Sequence, residues 1–284
     1  MDSTETGITR KGKAGDIPLL EAIVDLYAAE PDLLTLPQLL FASVLPLIDA
    51  DAVTFSEFHH RSGEFRTLAS IEDEPARRVR AAEAYRRHMH SHPFWQHDPD
   101  FFGEWALRES DFFTDAEYHA LPIAQEAFLP SGSHRVMAIV MRHDDYVLAV
   151  TGHRSVNRPA YSDLERDRLQ AFRPHALRAY RQAQGRTLAK LTPAGRLRLA
   201  YPELTQRQLE VASWIAQGKS NEDIATILGV GIDTIKAHAK AVHGKIGSEG
   251  RRAAAVIAHT VPPFAQLPPL WTLDVDAWGG PRRA

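Results

Sequence analysis

Apolar residues recur in two different periods along the first part of the chain. Leu20, Ile23, Val24 and Tyr27 step at helical spacing from Ile17, and Pro31 stops the run. Leu36, Leu39, Leu40, Val44 and Ile48 repeat the spacing and predict a second helix. The period then drops to two. Residues 52–58 and 64–70 read as strands around a Ser62-Gly63 turn, which makes a hairpin. Residues 74–92 predict an arginine-studded helix, followed by an aromatic connection over 93–113 and a further helix over 115–128. A second strand pair, 136–142 and 146–152, turns at His143-Asp144-Asp145, and a long helix over 162–184 is capped by Ser162.

Helices flanking an antiparallel sheet, with one helical excursion between hairpins, predict an α+β domain of the GAF or PAS type. Its expected span is 16–184, behind a polar, charged arm at 1–15. Residues 185–202, punctuated by Pro193, Gly195 and Pro202, read as a linker. Residues 203–260 are helical throughout by pattern, an all-α module of four helices, and 261–284 form a tail with five prolines and two tryptophans, Trp271 and Trp278. A chain of 284 residues exceeds one ordinary domain, so two cores are expected.

Charge changes the picture only when it is located. The formal net charge of −3 announces no nucleic-acid partner, yet residues 1–195 carry 22 Lys and Arg against 28 Asp and Glu, whereas 196–259 carry 9 against 6. A mildly basic module follows an acidic one. No lysine lies between Lys13 and Lys190, which excludes from the first domain a phosphoacceptor receiver, a pyridoxal Schiff base and a P-loop. The absence of cysteine excludes disulfide frameworks, thiolate zinc sites and thiol nucleophiles. A polar start and the lack of any apolar run of spanning length lead us to expect a soluble, cytoplasmic protein with no membrane partner.

In the basic module, Thr205 caps a helix closed by Gly218, Ser220 caps a short second helix, and Gly229 supplies a sharp turn into a third, 232–246. On that third helix Ile235, Ala239, Val242 and Ile246 form one stripe. The opposite side presents Asp233, Ala237, Ala241 and Gly244, with Lys236 and Lys240 alongside, ~6 Å apart along the axis. Small residues beside cations suit a helix laid in a DNA major groove. Spacing alone leaves a solvated helix in a small bundle equally open. The Gly218-Lys219-Ser220 run is no phosphate loop, because Ser213 stands at the first glycine position and no strand precedes it.

The stretch resembles the DNA-binding domain of LuxR-type transcriptional regulators. The matching residues are Leu204-Thr205, Arg207, Glu210-Val211, Ala216, Gly218, Lys219, Asn221, Ile224-Ala225, Leu228, Thr234-Ile235-Lys236, His238, Lys245-Ile246, Arg251 and Ala254. The resemblance implies a helix-turn-helix with 232–246 as recognition helix, and double-stranded DNA as partner. It implies Thr234, Lys236, Ala237 and Lys240 at the DNA, and Thr205, Arg207 and Asn221 at its backbone. The fourth helix, 251–259, corresponds to one many members use to dimerise, so a homodimer is expected. Gln208, Gly231, Ser248 and Gly250 depart from the usual Glu, Ser/Thr, Val and Asn.

The tryptophan, tyrosine and aspartate pattern of acyl-homoserine-lactone receptors cannot be laid on the first domain. It is similar instead to LuxR-type proteins with a GAF-like region, through His92-Pro93-Phe94, Ser110-Asp111-Phe112, Tyr161-Ser162-Asp163 to Leu169, Pro174-His175 and Leu177. Phe94, Trp95, Phe102 and Trp105, with Phe101 and Phe113, are candidates to line a pocket for a small-molecule effector. They can equally be a core lid, the reading that the weight of aromatics in cores favours. His88, His90, His92 and His97, near Asp98 and Asp100, suggest a metal. Helical spacing separates His90 from His88 and His92, and no metal, catalytic or cofactor residue is assigned. The competing readings are a protein-interaction module whose helical domain never meets DNA and, third, a metal- or small-molecule-dependent enzyme in the first domain. Burial of Ala237, Lys240 and Gly244 would exclude the DNA reading.

Overall fold

The computed structural model describes residues 16–61, 63–71, 75–89, 92, 94 and 105–261. Helices α1 (Ile17–Ala28) and α2 (Leu36–Leu47) precede the hairpin β1 (Ala52–His59) and β2 (Glu64–Ala69). After α3 (Pro75–His88) come the short strand β3 (Ala106–Arg108), α4 (Asp115–Ala120), and the hairpin β4 (Arg135–His143) and β5 (Tyr146–Arg154). These strands form one antiparallel sheet in the order β2-β1-β5-β4-β3, so the first hairpin's β1 pairs with the second hairpin's β5 along its whole length.

Alternation sorts the sheet's side chains into two layers. Val53, Phe55, Leu148, Val150, Met137 and Ile139 face inward onto α1, α2 and the long helix α5 (Asp163–Ala189), forming the larger core. Glu57 shares that face. It is buried, ion-paired to Arg66 and accepts a 3.0 Å hydrogen bond from Tyr180 Oη. The outer face carries Val136, Ala138, Val140, Val147 and Ala149, covered by Phe94 and Tyr118. Gly152 lets β5 approach the end of α2, because a Cβ there would lie 2.4 Å from Ile48 Cδ1 and 2.9 Å from Tyr161 Oη.

Two expectations are corrected. The helix over 115–128 is broken at Leu121, whose backbone is extended, and resumes as a π-turn over Ala124–Phe128. Pro122 is the cause, since it excludes the helical conformation from the residue before it. The linker over 185–202 is instead mostly helical. α5 runs through Gly185 to Ala189, and Thr192 caps α6 (Pro193–Ala200), accepting from the Gly195 amide at 3.1 Å. Leu199 of α6 packs against the first core, while its Leu197 belongs to the second.

That second core is built by α7 (Gln206–Ala216), α8 (Asn221–Leu228), α9 (Ile232–Ile246) and α10 (Arg251–Thr260) around Leu209, Ile215, Ile224, Ile235, Val242 and Ala258. Among the described residues no helix is long and apolar enough to cross a membrane.

Candidate nucleic-acid interface

Local chemistry sets where each helix of the second core starts and stops. Thr205 and Ser220 each accept from the backbone three residues on. The side chains of Gln208 and Asp223 reach back, completing a capping box at both α7 and α8. Gln208, unusual for the family at this position, thus still fills the box, its amide oxygen accepting from the Thr205 amide at 3.0 Å. Gly229 ends α8 at φ 65°, a conformation glycine adopts without penalty, and the chain re-enters a helix three residues later. Gly231 precedes α9 without a side-chain cap.

α9 is divided lengthwise. Ile235, Ala239, Val242 and Ile246 are buried, whereas Asp233, Thr234, Lys236, Ala237, Lys240 and Gly244 are exposed and Ala241 is half-buried. Lys236 Nζ lies 3.1 Å from Asp233 Oδ1, yet its side chain keeps 58 % of its exposure. Lys240 makes no ion pair among the described residues. Lys245 is drawn inward instead, donating to Glu203 O at 2.6 Å and Gln208 Oε1 at 2.8 Å, and so braces the end of α9 against the start of α7.

The three remaining candidates lie at helix N-termini and already have partners. The Thr205 hydroxyl accepts from the Gln208 amide at 3.3 Å. Arg207 donates to Glu210 at 2.8 Å and to the Leu228 carbonyl at 3.1 Å, tying α7 to the turn. Asn221 accepts from Arg251 at 3.1 Å. Lys219, exposed just ahead of the Ser220 cap, is a cation that helix periodicity does not single out, because it lies outside the helix.

The first domain holds a cavity of about 560 Å3 between the outer face of the sheet and α3 with the π-turn. Of the aromatic candidates, Phe94 is buried and lines it. Trp105 does not. It is 58 % exposed just before the edge strand β3, where no layer covers it. Trp95 and Phe102 lie outside the described residues, as do Phe101, His90, His97, Asp98 and Asp100.

The cavity floor is a row of hydroxyls that the sequence reading did not single out: Thr54 and Ser56 of β1 with Thr67 of β2, their side chains on the outer face by alternation. Ser56 and Thr67 are hydrogen-bonded at 2.9 Å. His153 bridges Thr54 (2.9 Å) and Ser133 (2.7 Å) through its two ring nitrogens. Desolvation pushes its pKa down to about 4, and that of His92 to about 3, so both are neutral at pH 7. Arg154, which also borders the cavity, is committed to Glu165 and to the carbonyls of Ile48, Asp49, Pro159 and Ala160. Among the described residues no three His, Asp or Glu side chains gather as a metal site.

Comparison with known proteins bears on the second domain. Residues 202–258 match the family of bacterial regulatory proteins described as luxR family, GerE. The chain is 37 % identical over 75 residues to the transcriptional regulatory protein LiaR of Bacillus subtilis, covering 26 % of this chain and 36 % of that one. It is 38 % identical over 56 residues to the transcriptional activator protein PhzR of Pseudomonas fluorescens, covering 20 % and 23 %. The chain thus spans well under half the length of these curated relatives. Among solved structures, SdiA of Escherichia coli is similar at 18 % identity and a TM-score of 0.42, over 86 % of this chain and 90 % of that one. The capped helices, the glycine turn and the matched residues together identify the C-terminal domain of this chain as a helix-turn-helix domain of the luxR family of bacterial regulatory proteins.

Proposed function

We propose that this protein is a transcriptional regulator that binds double-stranded DNA as a homodimer, with α9 in the major groove, and that its first domain holds a small uncharged effector. One observation carries the DNA reading: Ala237, Lys240 and Gly244 are exposed on α9 while the opposite stripe is buried. Small side chains let the backbone approach base edges, and Thr234, Lys236 and Lys240 can reach bases or phosphates. Thr205, Arg207 and Asn221, at the first turns of α7 and α8, suit the register-setting contacts with phosphates. An interaction module that never meets DNA would be expected to cover this face, and no described element does.

The test is to select a duplex from a random library with the full-length chain and to measure its affinity across salt concentrations. Lys236→Ala and Lys240→Ala should each weaken binding and lower the slope of log K against log salt by about one. Unchanged affinity and slope in the double variant would overturn the reading. The effector reading is supported by the cavity: its volume is typical of ligand pockets, and its walls are apolar with a few hydroxyls. Its two histidines are neutral at pH 7 and Arg154 is already paired, so an uncharged molecule with hydrogen-bonding oxygens fits it best.

A further inference from the structure

Helices α1 and α5 lie side by side on the first core and turn a continuous face to solvent. Asp16 is bonded to Arg168 at 2.6 Å and Tyr27 to His175 at 2.9 Å, so the two helices run parallel, and the middle of α1 is level with the neighbourhood of Ala171. On α1 the buried residues are Ala22 and Leu26. The opposite stripe is apolar and exposed: Ile17 at 60 %, Leu20 at 55 % and Val24 at 62 %. Three large apolar side chains at helical spacing on solvent are unusual for a surface helix, which normally turns its polar stripe outward.

The exposed stripe of α5 is Leu164, Asp167, Ala171, Pro174 and Arg178, flanked by Asp163 and Arg181. Its acids lie at one end and its bases at the other. Asp163 and Arg181 are equidistant from Phe172, and Asp167 and Arg178 are equidistant from a point half a residue, ~0.8 Å, further along. A two-fold axis crossing α5 there sets both acids of one copy against both bases of the other. The same axis crosses α1 between Leu20 and Glu21, midway between Ile17 and Val24, so it lays Ile17 of one copy over Val24 of the other. Charge on one helix and apolarity on its neighbour therefore specify the same axis independently. Packing the faces in parallel would oppose acid to acid.

We propose that the α1–α5 face is the surface through which two copies of this chain pair, antiparallel and isologous. The apolar stripe of α1 supplies affinity, small Ala171 at the centre permits close approach, and the Asp167–Arg178 contacts set the register. The inference takes from the reading above only that the chain works as a homodimer.

The test uses the full-length chain in sedimentation equilibrium, with Asp167→Arg, Arg178→Asp and Val24→Asp, three exposed positions whose variants can be checked for folding by circular dichroism. Asp167→Arg alone and Arg178→Asp alone should each weaken the dimer by about tenfold or more, since each places like charges at two symmetric contacts. An equimolar mixture of the two should recover wild-type affinity. In the mixed pair every 167–178 contact again joins opposite charges, and misfolded chains could not produce that rescue. Val24→Asp should weaken pairing to a similar degree. A wild-type dimer that none of the three variants affects would overturn this interface and leave the homodimer standing, its contact then sought at α10. A wild type that stays monomeric would overturn both, while the lysine variants of α9 test DNA binding separately.

Discussion

His153 is the residue whose chemistry depends most on its surroundings. Its two nitrogens bridge two hydroxyls, and only one of the nitrogens carries a proton when the ring is neutral. The trio Thr54, His153 and Ser133 thus has three protons for two hydrogen bonds. Whichever tautomer forms, one hydroxyl keeps a proton to offer a carbonyl or ether oxygen in the cavity. The depressed pKa also couples to stability. Between about pH 6.5 and 4 the unfolded chain binds a proton that the native imidazole refuses, so this contribution is complete above pH 6.5 and is lost as pH falls through that window. For His153 it is on the order of 3 kcal/mol, and His92 acts in the same direction. Urea unfolding at pH 7.5, 6 and 5 should show wild type losing stability faster than His153→Gln. Parallel losses would remove His153 as the source.

At the scale of elements, most helix ends in the second domain follow from a few local groups, and α9 is the exception. Gly231 leaves its first turn without a side-chain acceptor, although its φ of −66° and ψ of 146° suit serine and a Cβ would meet nothing closer than Thr234 Oγ1 at 3.9 Å. Gly231→Ser should therefore raise stability by a few tenths of a kcal/mol and shift the melting temperature slightly upward in calorimetry. A lower melting temperature would mean that the glycine serves something other than the cap. In the first domain the elements were legible because period and punctuation agree: both hairpins, α1 and α2 end within two residues of where alternation and proline put them. The misreadings came from punctuation weighed wrongly. Pro122 divides a helix that apolar spacing joins, whereas Pro193 opens a helix in a stretch that looked like linker.

For the molecule as a whole, the cavity and the helix pair on the opposite side of the sheet connect through Arg154. It borders the cavity and holds Glu165 in the first turn of α5. α5 leads to α6, whose Leu197 belongs to the core of the DNA-binding-type domain. An effector that displaced Arg154 would act directly on the helix that carries the pairing face. The cavity itself can be tested first. Adding carbons to a filled core costs about 1–3 kcal/mol, whereas Ala138→Leu and Ala149→Leu point into open space and should leave the melting temperature unchanged or raised. They should also deplete any small molecule released from the purified chain on denaturation and detected by mass spectrometry. A fall in melting temperature appropriate to overpacking would mean that the space is not there.

The sequence by itself determined the two-core organisation of helices and strands and the identity of the DNA-binding-type domain. Both depend on short-range periodicity, caps and fixed spacings, which are properties of neighbours along the chain. The tertiary structure alone decided which polar groups share a site. Thr54, Ser133 and His153 come from three separate stretches and meet only because β1 pairs with β5 and the chain enters β4 beside β5. Trp105 was placed by sequence among pocket aromatics and by the fold at an exposed sheet edge, because burial depends on what crosses over a residue rather than on the residue's own polarity. The paired acids and bases of α5 were visible as letters. Their meaning needed α1 beside them, level with the same axis.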